Sequence, residues 1–267
     1  MPARETTKKN LEVTGGQLYG RPSSLFLKLS IDRGQISEQK QMEIFMSSVV
    51  AIHQRARSAE QKALRRRAVL EAAEAYFLEV GYEAFSMSNL AKNIGIAKGT
   101  LYLYFETREE IFLTLYEQSL VRWSQVFIDS LSDTMTSKAY AQILFKTAVA
   151  DGTFLPLLIR LEHLIEHNVA IPRLISSKQL FLRRVDAVAQ VTAISLGLST
   201  AQAIEVAKTM GVLLIGATQG DQGPSLDGEA LPEDIQNLIA SFASEPLFIK
   251  NAVRIIEGIR METVSDN

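Results

Sequence analysis

One stretch, Phe85 to Glu110, reading FSMSNLAKNIGIAKGTLYLYFETREE, constrains this chain more than any other. Ser86 can cap a helix through its hydroxyl, with Phe85 before it and Leu90 four residues in as the halves of a hydrophobic staple. Leu90, Ala91 and Ile94 then share one face at helical spacing, and Gly95 stands where a sharp turn needs a residue without Cβ. A second short helix is expected from about Lys98 to Tyr104, and Thr107 with Glu110 reads as a T-x-x-E capping box opening a third. Two short helices on a tight glycine turn form a helix-turn-helix, whose second helix can enter the major groove of DNA.

The residues of that second helix fit such a role. Lys98 can neutralise a phosphate, and the hydroxyls of Thr100, Tyr102 and Tyr104 can hydrogen-bond phosphates or base edges. Gly99 lets the backbone approach whatever the helix lies against. An ordinary helical hairpin with solvated polar faces is the plain alternative, because bare helix-turn-helix patterns arise by chance.

The match extends well beyond the bare pattern. A helix ending at Gly81-Tyr82 leads into Phe85-Ser86-Met87, then Leu90-Ala91, Gly95-Ile96, the run Gly99 to Phe105, and Arg108-Glu109-Glu110-Ile111. From roughly Arg65 to Leu115 this resembles the N-terminal domain of the TetR family of bacterial transcriptional regulators. The resemblance implies that Ser86, Lys98, Gly99, Tyr102, Tyr104 and Arg108 face DNA, mostly its phosphates, with Leu90, Ala91, Leu101 and Phe105 in the domain core. Three positions depart from the family pattern: Ser86 where Thr is usual, Arg108 where Lys is usual, and Ala97 where Ser is usual. The first two keep a hydroxyl and a charge. The third removes an N-cap worth about 1 kcal/mol and one phosphate donor, which bears on affinity rather than on class.

Net charge is −2 over 267 residues, yet its distribution is uneven: residues 1–54, 55–110 and 111–267 carry +2, +1 and −5. Arg55, Arg57, Lys62, Arg65, Arg66 and Arg67 cluster ahead of the first helix, near the helix-turn-helix, and a phosphate backbone responds to charge within about 8–10 Å. Double-stranded DNA is therefore the expected partner. No cysteine occurs, so neither a disulfide nor a thiolate metal site is open to the chain, as suits a reducing cytoplasm. The opening MPARETTKKN has no apolar signal-peptide core. No apolar run approaches the roughly 18–20 residues a bilayer span takes, so no membrane partner is expected and the location expected is cytoplasmic.

Residues 1–45 show no sustained period, and residues 1–54 are read as a disordered extension. Met46 is the expected true start, with the preceding residues an over-extended gene model; a basic arm reaching DNA is the rival reading. From Gln61 to Val80 a first helix is expected, with Val69, Ala72, Ala73, Tyr76, Phe77 and Val80 as its buried stripe. After the helix-turn-helix domain, 55–110, residues 111–267 read as a larger helical ligand-binding and dimerisation domain. Helices are expected over 108–132, 137–150, 153–169, 171–197, 200–219, 233–243 and 246–261, with a loop from Gly220 to Pro232. No strand pattern competes, and the fold class is all-α.

Two of these helices carry more apolar surface than one core needs. Ala203, Ala207, Met210 and Leu214, with Phe248, Ile255 and Ile259, are assigned to a homodimer interface built as a four-helix bundle; a bulkier monomeric core is the alternative. The family resemblance implies a dimer as well, together with a small-molecule site among the C-terminal helices. Trp123, Phe127, Phe154, Leu158, Leu161, Phe181 and Gln190 can line it, with His163 as a polar point. His163 and His167 are four apart, but no third ligand is spaced nearby, so no metal and no cofactor is expected. No G-x-S-x-G, P-loop or dinucleotide fingerprint is present, and no enzyme activity is expected. The reading is a homodimeric transcriptional regulator, a repressor released from a palindromic operator by a small-molecule effector. The alternatives are a ligand-independent protein of chromosome organisation, or an interaction module that has lost DNA binding.

Overall fold

The computed structural model describes residues 38–219 and 231–262, with side chains at 59–219 and 231–262 and at Lys40, Glu43 and Ser47. Residues 1–37 and most of the expected loop, 220–230, lie outside the described residues. Ten α-helices follow in order: α1 Glu38–Ala84, α2 Met87–Asn93, α3 Lys98–Tyr102, α4 Arg108–Asp129, α5 Ser137–Ala150, α6 Phe154–Arg160, α7 Ile171–Leu196, α8 Thr200–Thr218, α9 Glu233–Ser241 and α10 Ser244–Glu262. A π turn, Leu161–Ile165, and a 3-10 turn, Glu166–Asn168, separate α6 from α7. No strand occurs among the described residues, and the fold is all-α.

The chain divides into two compact units, Met1–Glu60 and Gln61–Asn267. Described from Glu38, the first is helical, so residues 38–54 are not the irregular extension the sequence predicts. Beyond Gly34 this stretch has no glycine or proline, and its Glu, Gln and Met residues favour a helix without any apolar period. The second unit contains the helix-turn-helix and the larger helical part together, with no division at 110/111.

Local signals explain most helix ends in that unit. At Gly81 the backbone turns to φ 73°, breaking α1 where the sequence places the stop. Ser86 caps α2 by accepting from the Asn89 amide at 3.2 Å, and Gly95, at φ 70°, makes the turn into α3. Phe85 and Leu90 are both buried, closing the expected staple. Ser199 and Gln202 form a complete capping box on α8. The box at Thr107 is altered: Thr107 Oγ1 accepts from the Glu110 amide at 3.0 Å, but the Glu110 carboxylate reaches past it to the Glu106 amide at 2.8 Å.

At the centre runs α4, 22 residues long and so about 33 Å. It packs on α5, α6, the π turn and α7, while α8 lies against α7 and α10 and α10 also packs on α5. Tyr82, Phe85 and Phe77 of the N-terminal part meet Phe112 of α4 at ring separations of 4.7, 4.8 and 5.7 Å, so one apolar core runs from the helix-turn-helix into the larger part. Tyr140 of α5 hydrogen-bonds Thr192 of α7 at 2.9 Å in the interior, and burial pushes its hydroxyl up to about 12.

The dimer assignment from sequence does not hold in this packing. Ala203, Met210, Leu214, Phe248 and Ile259 are buried inside a single copy of the chain, and Ala207 and Ile255 pack half-buried against the same core. These stripes close the protomer itself, because α8, α10 and α5 use them against one another. Exposed apolar residues lie elsewhere, at Val212 of α8, Met261 of α10 and Leu238, Ile239 and Phe242 on and beside α9.

Candidate functional site

The helix-turn-helix turns a polar face outward. Lys98, Gly99 and Tyr102 are exposed on α3, with Lys98 Nζ 6.0 Å from the Tyr102 ring, one turn along. Leu101 and Phe105, by contrast, are fully buried and anchor the helix. Thr100 and Tyr104 are half-buried, and among the described residues the hydroxyls of Thr100, Tyr102 and Tyr104 have no hydrogen-bond partner. Three hydroxyl donors and an ammonium thus stand together on α3 and just beyond its end. Leu103, 70% exposed beside them, is an apolar neighbour the sequence reading did not name; its place between two tyrosines was the available signal.

Gly99 is informative because the protein itself does not require it. Its φ is ordinary, and a Cβ built there meets nothing within 4 Å. Ala97, the N-cap of α3, makes no side-chain cap, as its missing hydroxyl dictates.

Two of the expected phosphate contacts are engaged inside the fold. Arg108 lies over the Tyr82 and Phe112 rings at 4.9 and 5.4 Å, and donates to the Phe85 carbonyl at 3.3 Å and to Glu109 at 3.1 Å. Arg66 lies 4.3 Å over the Phe105 ring and 3.7 Å from Glu110. Both arginines clamp the recognition unit, and each remains about one third exposed. The Arg66 contact also sets the exposed Lys62, Arg65 and Arg67 near the end of α3, while the side chains of Arg55 and Arg57 lie outside the described residues. Ser86 is half-buried; its oxygen caps α2 and its O–H can still donate.

A cavity of about 380 Å³ opens among α4, α6, α7 and α8. Trp123, Phe154, Leu158, Leu161, His163 and Phe181, named from the sequence as pocket residues, line it. Phe127 does not: it is fully buried, stacked on Trp123 and edge-on to Tyr140. Gln190 does not either, being exposed on the other side of α7 from the lining stripe Phe181, Arg184, Val185 and Val188. Tyr116 and Arg184 were missed, although Tyr116, Leu120 and Trp123 fall on one face of α4 at helical spacing. Ala207, Met210 and Leu214, assigned to a dimer, are cavity wall.

Among the described residues no three His, Cys, Asp or Glu side chains gather as a metal site. The run bearing His163 and His167 is not a continuous α-helix but passes from π to 3-10 geometry. No single helix described is long and apolar enough to cross a membrane.

Comparison with known proteins agrees with this arrangement. A family model described as bacterial regulatory proteins, tetR family, matches residues 69–115, and one described as Tetracyclin repressor-like, C-terminal domain, matches residues 117–261. The chain is 31% identical over 83 residues to the Fatty acid metabolism regulator protein of Bacillus subtilis (strain 168), covering 31% of this chain and 41% of that one. It is 30% identical over 67 residues to the HTH-type transcriptional repressor AcnR of Corynebacterium diphtheriae, covering 25% of this chain and 35% of that one. The matched stretches thus span less than half the length of these relatives. The crystal structure of a possible TetR family transcriptional regulator from Streptomyces coelicolor A3(2) superposes with a TM-score of 0.47 at 16% identity, covering 74% of this chain and 99% of that one. The recognition helix agrees with the first model and the C-terminal model spans more than half of the residues, so the chain belongs to the TetR family of DNA-binding transcriptional regulators.

Proposed function

We propose that this chain is a homodimeric repressor whose hold on a palindromic operator is released when a small molecule occupies the cavity. The observation that carries the reading is the position of the cavity. Its wall includes α4 and α6, and these same helices bear residues that tie the larger helical part to α1. A ligand seated there acts on the recognition helices only if it binds the DNA-incompetent arrangement better than the competent one. Lys98, Gly99, Thr100, Tyr102 and Tyr104 are the DNA contacts, with Ser86 and the exposed Lys62, Arg65 and Arg67 on flanking phosphates. Arg108 acts mainly by holding α4 to the helix-turn-helix. Pairing of two copies uses the exposed apolar residues of α8, α9 and α10 rather than their buried stripes, and sets two recognition helices about one DNA turn apart.

The test is binding to the chain's own promoter region, footprinted and titrated in salt. A protected palindrome of roughly 15–25 bp with steep salt dependence is expected. Lys98→Ala and Tyr102→Ala should each weaken binding about tenfold without altering the mass of the assembly. Tight, salt-sensitive binding to random DNA with no protected site would favour a chromosome-organising role instead, and unchanged affinity in both variants would remove these residues from the site.

A further inference from the structure

The cavity wall is mostly apolar, yet it contains buried donors that no group among the described residues accepts. Tyr116 Oη, Trp123 Nε1 and Arg184 Nη2 are each buried without a hydrogen-bond partner, and all three residues line the cavity. Such groups are rare in folded proteins, because each costs the full desolvation of an unmade bond. Arg184 is the most demanding of them. Its Nε donates to Ser124 Oγ at 2.7 Å, which aims the guanidinium at α4, and among the described residues no carboxylate pairs with it. The other charged groups on this wall have different settings: Glu166 is paired with Lys178 at 2.7 Å, while Glu162, His163 and Lys208 are exposed.

Placement gives the ligand its shape. Arg184 meets α4 at Ser124, the residue after Trp123, and both Arg184 and Trp123 line the cavity. Tyr116 lies seven residues earlier on α4, about 10 Å along the axis. Burial raises the Tyr116 hydroxyl far above its ordinary range, so it stays protonated and available as a donor. Between the two ends run Leu120 and the Phe154 ring, stacked 4.4 Å from Trp123 and 6.3 Å from Tyr116. All three polar atoms are donors, and one carries a buried positive charge.

From this geometry we propose that the cavity takes an elongated apolar molecule with one anionic head, a carboxylate or phosphate, seated on Arg184 and Trp123. An acceptor further along the ligand meets Tyr116. The inference deepens the effector reading above and rests on it for the cavity's regulatory role.

Trp123 is the chain's single tryptophan, so its emission reports the site directly. The full chain is titrated, without DNA, with decanoate, decyl phosphate, 1-decanol and decylamine below their micellar concentrations. Saturable emission changes are expected for one or both anions, at least tenfold tighter than for the alcohol and the amine; which anion binds better separates the two headgroups. Arg184→Gln should erase that preference while leaving the weak affinity for the alcohol, and Tyr116→Phe should leave both unchanged, because these probes carry no acceptor along the chain for its hydroxyl to meet. Should Arg184→Gln not fold, Ser124→Ala frees the guanidinium from its anchor and should narrow the same preference. Binding of the alcohol as tight as of either anion, a preference that survives Arg184→Gln, or silence of the emission toward both anions would overturn the proposal. Anion-selective binding that leaves operator affinity unchanged would overturn the effector reading alone.

Discussion

Gly99 separates what the protein needs from what its partner needs. Among the described residues nothing touches a Cβ at that position, and its backbone is not left-handed. Gly99→Ala should therefore keep or slightly raise the melting temperature, since alanine favours a helix by up to about 1 kcal/mol. It should also weaken operator binding, because the added methyl stands on the face offered to DNA. A loss of DNA affinity accompanied by a lower melting temperature would mean that the glycine serves the fold. Ala97 gives the complementary case. Its place at the start of α3 has no side-chain cap, so Ala97→Ser should add about 1 kcal/mol and raise the melting temperature by about 2–4 °C. The new hydroxyl also restores a phosphate donor, so operator affinity should rise in the same variant. The outward residues of α3 were legible in the sequence because a short helix with two buried anchors, Leu101 and Phe105, leaves its other side chains only one direction to face. Arg108 and Arg66 were not, since charge alone does not tell a phosphate clamp from a cation resting on the Tyr82 or Phe105 ring.

Helices were readable where the chain marks their ends. Ser86, Gly95, Thr107, Ser199 and Gly197 each carry a cap or a turn, and the helices they bound start or stop within a few residues of expectation. The π turn after α6 has no sequence signature at all. Two-striped helices are a different difficulty. On α8 and α10 the spacing shows that both stripes are apolar but not which one meets α5 and α7, and the stripe taken for a dimer closed the protomer instead. A polar contact beside that closure is testable. Ser137, the first residue of α5, hydrogen-bonds the Glu257 carboxylate of α10, which Arg260 also approaches at 2.7 Å. The serine first, and then Arg260, hold the Glu257 carboxyl below its ordinary value of 4.5. A depressed carboxyl contributes stability that is present above its unfolded value and lost as pH falls through its folded one. Ser137→Ala should therefore lower the melting temperature at pH 7 and make little difference well below pH 4. The effect should be small, because Glu257 is more than a third exposed and water screens it. An equal drop at both pH values would assign the loss to packing at the α5 start rather than to the carboxylate.

Across the whole molecule, the segment from Asp151 to Arg160 lies between the cavity and α1. Phe154 and Leu158 face the cavity, while Thr153 Oγ1 donates to Glu74 of α1 at 3.2 Å. Glu74 also accepts from Arg122 of α4 at 2.5 Å, and Arg122 holds Asp151 at 3.2 Å. At the other end of α6, Arg160 lies 5.2 Å over the Tyr82 ring and 3.6 Å from Glu83, just ahead of the helix-turn-helix. A ligand that displaces Phe154 against Trp123 thus moves a helix fastened to α1 near both ends. The Arg122–Glu74 pair is partly exposed, so removing it should cost little stability. Its loss should instead appear in coupling. Coupling between effector and operator is reciprocal: the factor by which ligand lowers DNA affinity equals the factor by which DNA lowers ligand affinity. In Glu74→Gln, operator affinity without ligand and ligand affinity without DNA should each stay within about twofold of the wild type. The coupling factor should fall about fivefold, by the same amount measured in either direction, as operator affinity with and without saturating ligand and as Trp123 emission with and without operator. Arg160→Gln should act similarly through Tyr82, and the double variant should lose little more than either single one if both ends of α6 serve one movement. Full coupling in Glu74→Gln would route the signal elsewhere, through the Phe112 contacts of α4 with Tyr82 and Phe85, and Phe112→Leu would then become the variant that separates ligand binding from release.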